Sequence, residues 1–512
     1  MIRKLIVGSV IAVVVILCGG TWFSGMKTQN SVEQFINGFN KANKNNNGAH
    51  NMTLSRKDYK RGFFSSSFQV ALTFNNGITD SEIKPGQKII LDINVDHGPF
   101  PLSQLSKGNI KPTMATAKVS LAKSDLTQSY YTATKGKIPL TADIVAAFGG
   151  ALTTEVNITP AKFQDISYED GKFMFRGDDS SPSNIAVTGY LNNIIVNLDS
   201  ITKLAANSMT VNALSHMEEM RYPVGISDLK FNKVRLQVLD NDIAKINAFT
   251  AKTILERTKD KKYINANFSY AIDTLKKGDQ NFGSGDMSLQ FNAIDPNAFR
   301  AFIEYYNTTI LQYYNTTILQ YYNTTILQYY NTTILQYYNT TILQYYNTSL
   351  RNQLANNPDL IKDENAMDDL RVGVLGESLP ILLKSEPVIQ IPVKWKNTVG
   401  ELKGHLNIAT DDARSVDNSI KSLDLNIFLP FNVIGELEKQ INLSEGKNTE
   451  TAQRMAEQAL AEFKDTGQQL DLLKFDDNAG SLQLHYEQGK VNFNGNEMTD
   501  MAFFMRMARL MP

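Results

Sequence analysis

The densest group of side chains that could do chemistry lies in the segment Asp92-Ile93-Asn94-Val95-Asp96-His97-Gly98. Oxygen-bearing side chains at every second position first suggest a calcium loop, which needs glycine at its sixth position and glutamate at its twelfth. Those two positions hold His97 and Ser103 instead. Because Ile93 and Val95 alternate with the polar residues, as on a half-buried strand, the segment predicts a β-strand and not a calcium site.

Asp96 and His97 could also form an oriented general base. A hydrolase would need a nucleophile within reach of that base, and the Gly-x-Ser-x-Gly pattern that often supplies one is absent. The five histidines are scattered, at positions 50, 97, 216, 405 and 485, and no His-Glu-x-x-His or Cys/His pattern occurs. The sequence therefore predicts no catalytic residue, no cofactor-binding residue and no metal ligand.

The end of the strand that carries His97 should be held by a rigid turn. Gly98-Pro99 and Pro101 restrict the backbone there. We expect Phe100 and Leu102 to dock on the core. A positive φ at residue 98 would explain why that residue is glycine. His97 then serves the fold and not a reaction.

Two other short patterns resemble binding motifs and carry little weight. Gly283-Ser284-Gly285 is too short for a dinucleotide fingerprint, and no P-loop pattern is present, so these residues indicate a turn between strands. Arg176-Gly177-Asp178 spells an adhesion tripeptide, but a three-residue match recurs by chance. Neither pattern predicts a binding site.

Composition excludes several classes of partner. The chain has 512 residues, with 51 lysines and arginines against 52 aspartates and glutamates, and a formal net charge of −1. No overall attraction to nucleic acid or to anionic lipid follows from that balance. Cys18 is the only cysteine, so the residues after it have no thiol for a disulfide, a thiolate metal site or a cysteine nucleophile.

An uncharged run of nineteen residues, Leu5 to Phe23, is long enough to span a membrane. As a helix it would reach about 28 Å, close to the roughly 30 Å hydrocarbon core of a bilayer. Arg3 and Lys4 precede the run and only Lys27 follows it closely, so the positive-inside rule places the N-terminus in the cytoplasm. We expect an uncleaved transmembrane helix that contacts the lipid bilayer through residues 5–23.

Cleavage and lipidation are weaker interpretations of this run. A cleavable signal peptide needs small residues at −3 and −1, for which Cys18 and Gly20 are poor candidates. A lipoprotein signal needs a small residue before the cysteine, where Leu17 stands.

A short amphipathic helix is predicted after the run, because four apolar residues recur at helical spacing: Val32, Phe35, Ile36 and Phe39. We expect this helix to pack on the body of the protein or, alternatively, to meet a partner.

Alternation of apolar and polar residues dominates the rest of the chain and predicts half-buried strands. The alternating sets lie at Phe68–Phe74, Val234–Val238, Phe268–Ile272, Met287–Phe291, Ile389–Trp395, Leu423–Leu429 and Leu482–Tyr486. Helical stretches are fewer, at Asp295–Asn356, Ile434–Phe463 and Thr499–Met507. The expected fold class is α+β, mainly antiparallel β, with C-terminal helices.

One internal repeat stands out. The octapeptide YYNTTILQ occurs in five perfect copies from Tyr305 to Gln344, and a truncated copy follows from Tyr345. Tyr, Thr and Ile favour strands, whereas on a helix each copy would be rotated by about 80° and leave no stable apolar stripe. The flanks favour a helix, because Asp295-Pro296 has the form of an N-cap and a first helical residue. The strand alternative stays open.

Five strings carry a resemblance to a known family. They are Tyr59–Ser66 (YKRGFFSS), Val95–Leu102 (VDHGPFPL), Leu382–Ile389 (LLKSEPVI), Lys421–Asp424 (KSLD) and Gly489–Met498 (GKVNFNGNEM). Together they resemble the YdgA/YihF family of Gram-negative inner-membrane proteins, a domain of unknown function with one N-terminal anchor. The resemblance implies periplasmic placement, allows a homodimer and supplies no catalytic residue. The octapeptide array departs from the family pattern and is interpreted as an insertion.

These observations predict four regions. They are a signal-anchor transmembrane segment at 1–27, a β-rich periplasmic region at 28–300, a helical segment with the tandem repeats at 301–372, and a β-rich region with C-terminal helices at 373–512. The predicted function is non-catalytic binding or scaffolding in the cell envelope, with no cofactor and with an unidentified ligand or protein partner. A groove for lipid or another hydrophobic ligand is one alternative, and an envelope hydrolase is the other.

Overall fold

The computed structural model of the chain describes residues 36–37, 40, 52–75, 84–177, 184–217, 223–305, 386–411, 420–469 and 471–508. The predicted anchor at residues 5–23 lies outside these ranges, and so does the octapeptide array after its first residue, Tyr305. Within them, no helix combines the length and the apolar character that a membrane crossing requires. The region boundaries at residues 27, 300 and 372 stay predictions.

Antiparallel strands make up most of the described chain, as predicted, and helices are few. The strands are β1 (Met52–Arg61), β2 (Ser65–Phe74), β3 (Lys88–His97), β4 (Ala115–Leu121), β5 (Leu140–Ala146), β6 (Leu152–Ile158), β7 (Ala161–Lys162), β8 (Ile166–Tyr168), β9 (Gly171–Gly177), β10 (Asn184–Asn197), β11 (Thr202–Met217), β12 (Pro223–Val238), β13 (Asn241–Arg257), β14 (Ile264–Lys277), β15 (Gln280–Ile294), β16 (Val388–Lys396), β17 (Glu401–Thr410), β18 (Ile420–Pro430), β19 (Lys474–Phe475), β20 (Ala479–Glu487), β21 (Lys490–Phe493) and β22 (Asn496–Thr499). The helices are α1 (Leu102–Leu105), α2 (Gln128–Ala133), α3 (Pro296–Tyr305), α4 (Phe431–Ser444), α5 (Thr449–Gln469) and α6 (Asp500–Ala508).

The alternating sets found in the sequence all lie in strands, namely β2, β12, β14, β15, β16, β18 and β20. Helix α3 begins as predicted, because the Asp295 carboxylate accepts hydrogen bonds from the backbone N–H groups of Asn297 at 2.9 Å and Ala298 at 3.0 Å. The predicted stretch Ile434–Phe463 is instead two helices, α4 and α5. Gly446, with φ +84°, lies between them, and its left-handed backbone ends the first helix.

The described chain divides into two compact units. Unit 1 comprises the described residues up to Asn192, Asn212–Met217 and residues 300–305. Unit 2 comprises Asn193–Val211, residues 223–299 and everything described from residue 386 onward.

Unit 1 is a meander with a filled core. Its strands pair in the order β1-β2-β3-β4-β5-β6-β9-β10, each antiparallel to the next. Alternate residues of each strand face inward, and Leu72, Ile89 and Leu91 are each 1% exposed. Ile36 packs into the same core, and Asn40 is hydrogen-bonded to the backbone of Leu54. At these two positions the predicted short helix packs on the body, while Val32, Phe35 and Phe39 lie outside the described residues.

Unit 2 is a second meander with longer strands. Its strands pair antiparallel in the order β12-β13-β14-β15-β16-β17-β18-β20-β21-β22. Helix α4 docks on the turn between β16 and β17, where Asn397 donates to the backbone oxygen of Val433 at 3.0 Å and Asn432 donates to that of Val399 at 2.8 Å. Helix α5 packs against α4.

Candidate functional site

His97 meets a serine that its sequence position did not reveal. Its Nε2 lies 3.0 Å from the Oγ of Ser66, which is thirty-one residues away in the chain. Strand pairing produces this approach, because Ser66 in β2 lies opposite Val95 in β3. Ser66 is only 8% exposed, so its hydroxyl is poorly accessible as a nucleophile. The hydrogen bond between Ser66 and His97 lies at the end of the unit 1 core and pairs both side chains.

Asp96 does not orient the imidazole. Successive residues of a strand point to opposite faces, and Asp96 instead accepts a hydrogen bond from the backbone N–H of Ser103 at 3.1 Å. Asp92, on the same face, accepts one from Gln69 Nε2 at 2.8 Å. The prediction that the segment is a strand is confirmed, and the described residues contain no group of three or more potential metal ligands.

The turn after His97 corrects two expectations. Gly98 has no positive φ; it is glycine because a Cβ there would lie 2.0 Å from the backbone oxygen of Thr113. Phe100 and Leu102 do not dock on the core but are 50% and 63% exposed. The expectation assumed an extended chain, whereas the segment enters the helical turn α1, which buries Pro101 and Gln104 at helical spacing instead.

The other described histidines lie apart from one another on separate strands, and His216 is half-buried. His216 Nδ1 is 2.5 Å from Asn184 Oδ1, and His405 is exposed in β17. His485 Nδ1 is 2.6 Å from Asp424 Oδ1, and this hydrogen bond raises the pKa of the imidazole above its ordinary value. Such an exposed pair is common on protein surfaces and carries no sign of catalysis. His50 and Asp178 lie outside the described residues.

The apolar face of the unit 2 sheet is an unusual surface. A complete cross-strand row, here called the open row, crosses eight neighbouring strands without one charged side chain. It consists of Leu229, Ala251, Tyr270, Met287, Val393, Gly404, Ile427 and Leu482. A parallel second row has the same character, with Leu255, Ala266, Phe291, Ile389, Ile408, Leu423 and Tyr486.

This face is accessible at its centre. Tyr270, Met287 and Val393 are adjacent on three neighbouring strands and are 43%, 44% and 37% exposed. The equivalent inward-facing residues of unit 1 are nearly inaccessible, as given above. The opposite face of the same strands carries Asp286, Lys394 and Lys403, all exposed. The sheet is therefore amphipathic in the usual sense, but no element in the described part of the chain covers its apolar side at Tyr270, Met287 and Val393.

Two glycines in β15 shape this face. Gly285 lies opposite Trp395, and a Cβ on the glycine would come within 2.4 Å of the indole ring. The Trp395 Nε1–H group donates to the backbone oxygen of Phe282 at 2.9 Å. The predicted turn at Gly283–Gly285 is therefore wrong, because these residues are inside a strand and make room for an aromatic ring and for the backbone of Lys396.

The arrangement of these side chains can bind apolar molecules. The two rows consist of aliphatic, aromatic and thioether groups. Such groups bind apolar molecules through contacts that do not depend on the orientation of the ligand. Sequence alternation had identified Tyr270, Met287, Val393, Ile427 and Leu482 of the open row, but not Leu229, Ala251 or Gly404. The lengths of β12 to β15, fourteen to seventeen residues, exceed the usual strand length. Neither signal shows whether another element covers the face.

Comparison with known proteins gives relatives whose names state no activity. The chain is 40% identical to the "Uncharacterized protein YihF" of Escherichia coli strain K12, covering 99% of both chains. It is 26% identical to "Protein YdgA" of the same strain, over 96% of this chain and 94% of that one, and 22% identical to an uncharacterized Haemophilus influenzae protein over 58% and 83%. No solved structure matches. The family model "Bacterial protein of unknown function (DUF945)" matches residues 2–500, and the chain therefore belongs to the DUF945 family.

Proposed function

We propose that this chain is a single-pass inner-membrane protein whose periplasmic part binds an extended hydrocarbon chain on the apolar face of unit 2, without catalysing a reaction. The observation that carries the proposal is the exposure of Tyr270, Met287 and Val393 in the middle of an uninterrupted apolar row. Contiguous exposed apolar surface of this kind is uncommon in soluble domains and marks binding sites. It favours the hydrophobic-ligand alternative over a scaffold.

The dimensions of the face fit a long ligand. Eight strands spaced by roughly 4.8 Å give the open row a length of about 34 Å, whereas one acyl chain reaches about half of a roughly 30 Å bilayer core. An extended acyl chain therefore fits within the row with room to spare. The absence of charged side chains from both rows disfavours a polar substrate, because a buried polar group without a partner costs free energy.

The first test concerns the anchor. Residues 5–23 form an uncharged run behind Arg3 and Lys4, so alkaline phosphatase fused after Arg61 should be exported and active. The fusion protein should also stay with the inner membrane during alkaline carbonate extraction. A control fusion made directly after Lys4, which lacks the run, should be inactive. Release of the Arg61 fusion into the soluble periplasmic fraction would mean that the run is cleaved.

The second test concerns the ligand. The chain has two tryptophans, Trp22 and Trp395, so a Trp22→Phe variant has Trp395 as its only indole. Trp395 lies two residues from Val393 on the same strand and therefore on the same face. Brominated stearic acid should quench its fluorescence in a saturable manner, because the bromine atoms would come to rest close to the ring.

Matched variants locate the site. Val393→Asp in the Trp22→Phe background introduces a charge into the open row and should weaken the quenching by at least about tenfold, since burying an unpaired carboxylate is costly. Lys394→Asp changes the next residue, on the polar face, and should leave the quenching unchanged. Equal effects of the two substitutions, or quenching that does not saturate, would refute binding on this face.

A further inference from the structure

Unit 1 carries a second apolar surface, at the end of its sheet and separate from the ligand site proposed above. Seven large apolar side chains in three connecting segments point into solvent there, led by Phe63 at 88% and Ile110 at 76% exposure. The seven are Phe63, Phe64, Phe100, Leu102, Leu105, Ile110 and Phe148. Single exposed apolar residues need no explanation, but a cluster of this size marks an interaction surface.

Backbone hydrogen bonds bring the three segments to one place. The N–H group of His97 donates to the oxygen of Phe64 at 2.8 Å, which joins the β1–β2 turn to the end of β3. The N–H group of Gly98 donates to the oxygen of Met114, and that of Met114 donates to the oxygen of Ala146, each at 2.8 Å. Phe148 lies in the turn that follows Ala146. We call this surface the apolar end of unit 1.

Its charge is as distinctive as its apolar character. The segments 59–64, 98–113 and 147–151 contain Lys60, Arg61, Lys107 and Lys111 and no aspartate or glutamate, and the acidic residues that border them are Asp58 and Asp96. The Asp96 carboxylate accepts the backbone N–H of Ser103, so the basic side chains outnumber the acidic ones at this surface. All four basic side chains are exposed, although the whole chain has a net charge of −1. Segments that lie in the headgroup region of anionic membranes have this composition, with phenylalanine and leucine next to lysine and arginine.

We propose that the apolar end of unit 1 docks on the surface of an anionic phospholipid bilayer. The phenyl and aliphatic groups enter the boundary between headgroups and acyl chains, and the four basic side chains contact lipid phosphates. Long basic side chains suit this position, because their methylene stems lie along apolar surface while the charge stays in water.

Charge also argues against a second copy of this chain as the occupant. A two-fold symmetric contact places the same patch of each protomer against the other. The basic groups of one apolar end would then face those of the next, and like charges in an interface are unfavourable. An anionic surface complements the patch without this repulsion.

The experiment measures vesicle binding by the full chain. The protein is held in nanodiscs of phosphatidylcholine, so that the run at residues 5–23 already has a bilayer. The nanodiscs are mixed with vesicles made of phosphatidylcholine alone or of equal parts phosphatidylcholine and phosphatidylglycerol. The protein bound to vesicles is then separated by flotation in a sucrose gradient and measured. We expect at least about tenfold stronger binding to the anionic vesicles, weakened by salt, because each basic side chain near such a surface contributes appreciably.

Two variants and one control make the result specific. Phe63→Ser with Phe64→Ser and Phe148→Ser, and separately Lys60→Glu with Arg61→Glu, should each reduce the binding by at least about tenfold. The control replaces three exposed apolar residues of unit 2, Leu198, Ile226 and Leu239, with serine and should bind like the wild type. All substituted side chains are exposed, so unchanged thermal unfolding is expected and checks that each variant is folded.

Several outcomes would overturn the proposal. They are wild-type binding that does not depend on phosphatidylglycerol, variants that bind as well as the wild type, or no binding to either vesicle. In the last case an acidic protein surface would be the better match for the apolar end. Quenching of Trp395 by brominated stearic acid is measured separately, so failure of one test leaves the other standing.

Discussion

Replacing Gly98 with valine should destabilise unit 1 by about 3 kcal/mol, because the new side chain has no room. A Cβ at this position would lie 2.0 Å from the backbone oxygen of Thr113 and 2.6 Å from that of Met114. The same backbone is fixed by hydrogen bonds from Gly98 N to Met114 O at 2.8 Å and from Thr113 N to Pro99 O at 3.0 Å. The clash is therefore relieved only by moving main chain. Urea unfolding followed by circular dichroism measures the loss.

The control is Gly177→Val in the same unit. Gly177 also has no positive φ, and the nearest atom to its Cβ would be Leu152 Cβ at 3.9 Å, an ordinary contact. We expect a change of no more than about 0.5 kcal/mol, as for most substitutions that create no clash. The unfolding of unit 2, followed by Trp395 fluorescence in the Trp22→Phe background, should be unaffected in both variants. A loss of the same size from Gly177→Val would show that lack of space at Gly98 is not the cause.

Period-2 alternation predicted the strands because it depends only on which face of a sheet is buried. Phe68, Val70, Leu72 and Phe74 alternate in the sequence, and all four are at most 5% exposed in β2. The same reasoning found Tyr270, Met287 and Val393 of the unit 2 face, although it missed Ala251 and Gly404. It did not reveal that Met287 and Val393 are accessible, because exposure depends on what packs over a strand and not on the strand's own sequence.

The sequence-based errors share a physical origin in contacts between distant parts of the chain. Gly285 looked like part of a turn because glycine favours turns, yet its reason for being glycine is Trp395, more than a hundred residues away. Ser66 and His97 are thirty-one positions apart, and no spacing rule identifies such a pair. The outward direction of Phe100 depends on the helical turn α1, which is too short to leave a periodic signal.

Gly285→Val should destabilise unit 2 by about 2 kcal/mol and shift the fluorescence of Trp395 to longer wavelength. The valine Cβ would lie 2.4 Å from Cε3 and 2.7 Å from Cζ3 of the indole, so the ring must move away from the strand. That movement strains or breaks the hydrogen bond from Trp395 Nε1 to the Phe282 oxygen and exposes more of the ring to water. Overpacking costs of this order are common when a close-packed group is displaced. Urea unfolding and emission spectra in the Trp22→Phe background measure both effects.

Gly404→Val separates ring displacement from the general effect of valine in a strand. Gly404 belongs to the open row, and the nearest atoms to its Cβ would be the Asn426 oxygen at 3.7 Å and Ile427 Cγ1 at 3.8 Å. Valine fits this space and favours strands on a scale that spans about 1 kcal/mol, so stability should hold or rise. The Trp395 emission maximum should stay where it is. If both glycine variants lost stability equally, contact with the indole would not be what requires glycine at position 285, and the packing of this face would need a different explanation.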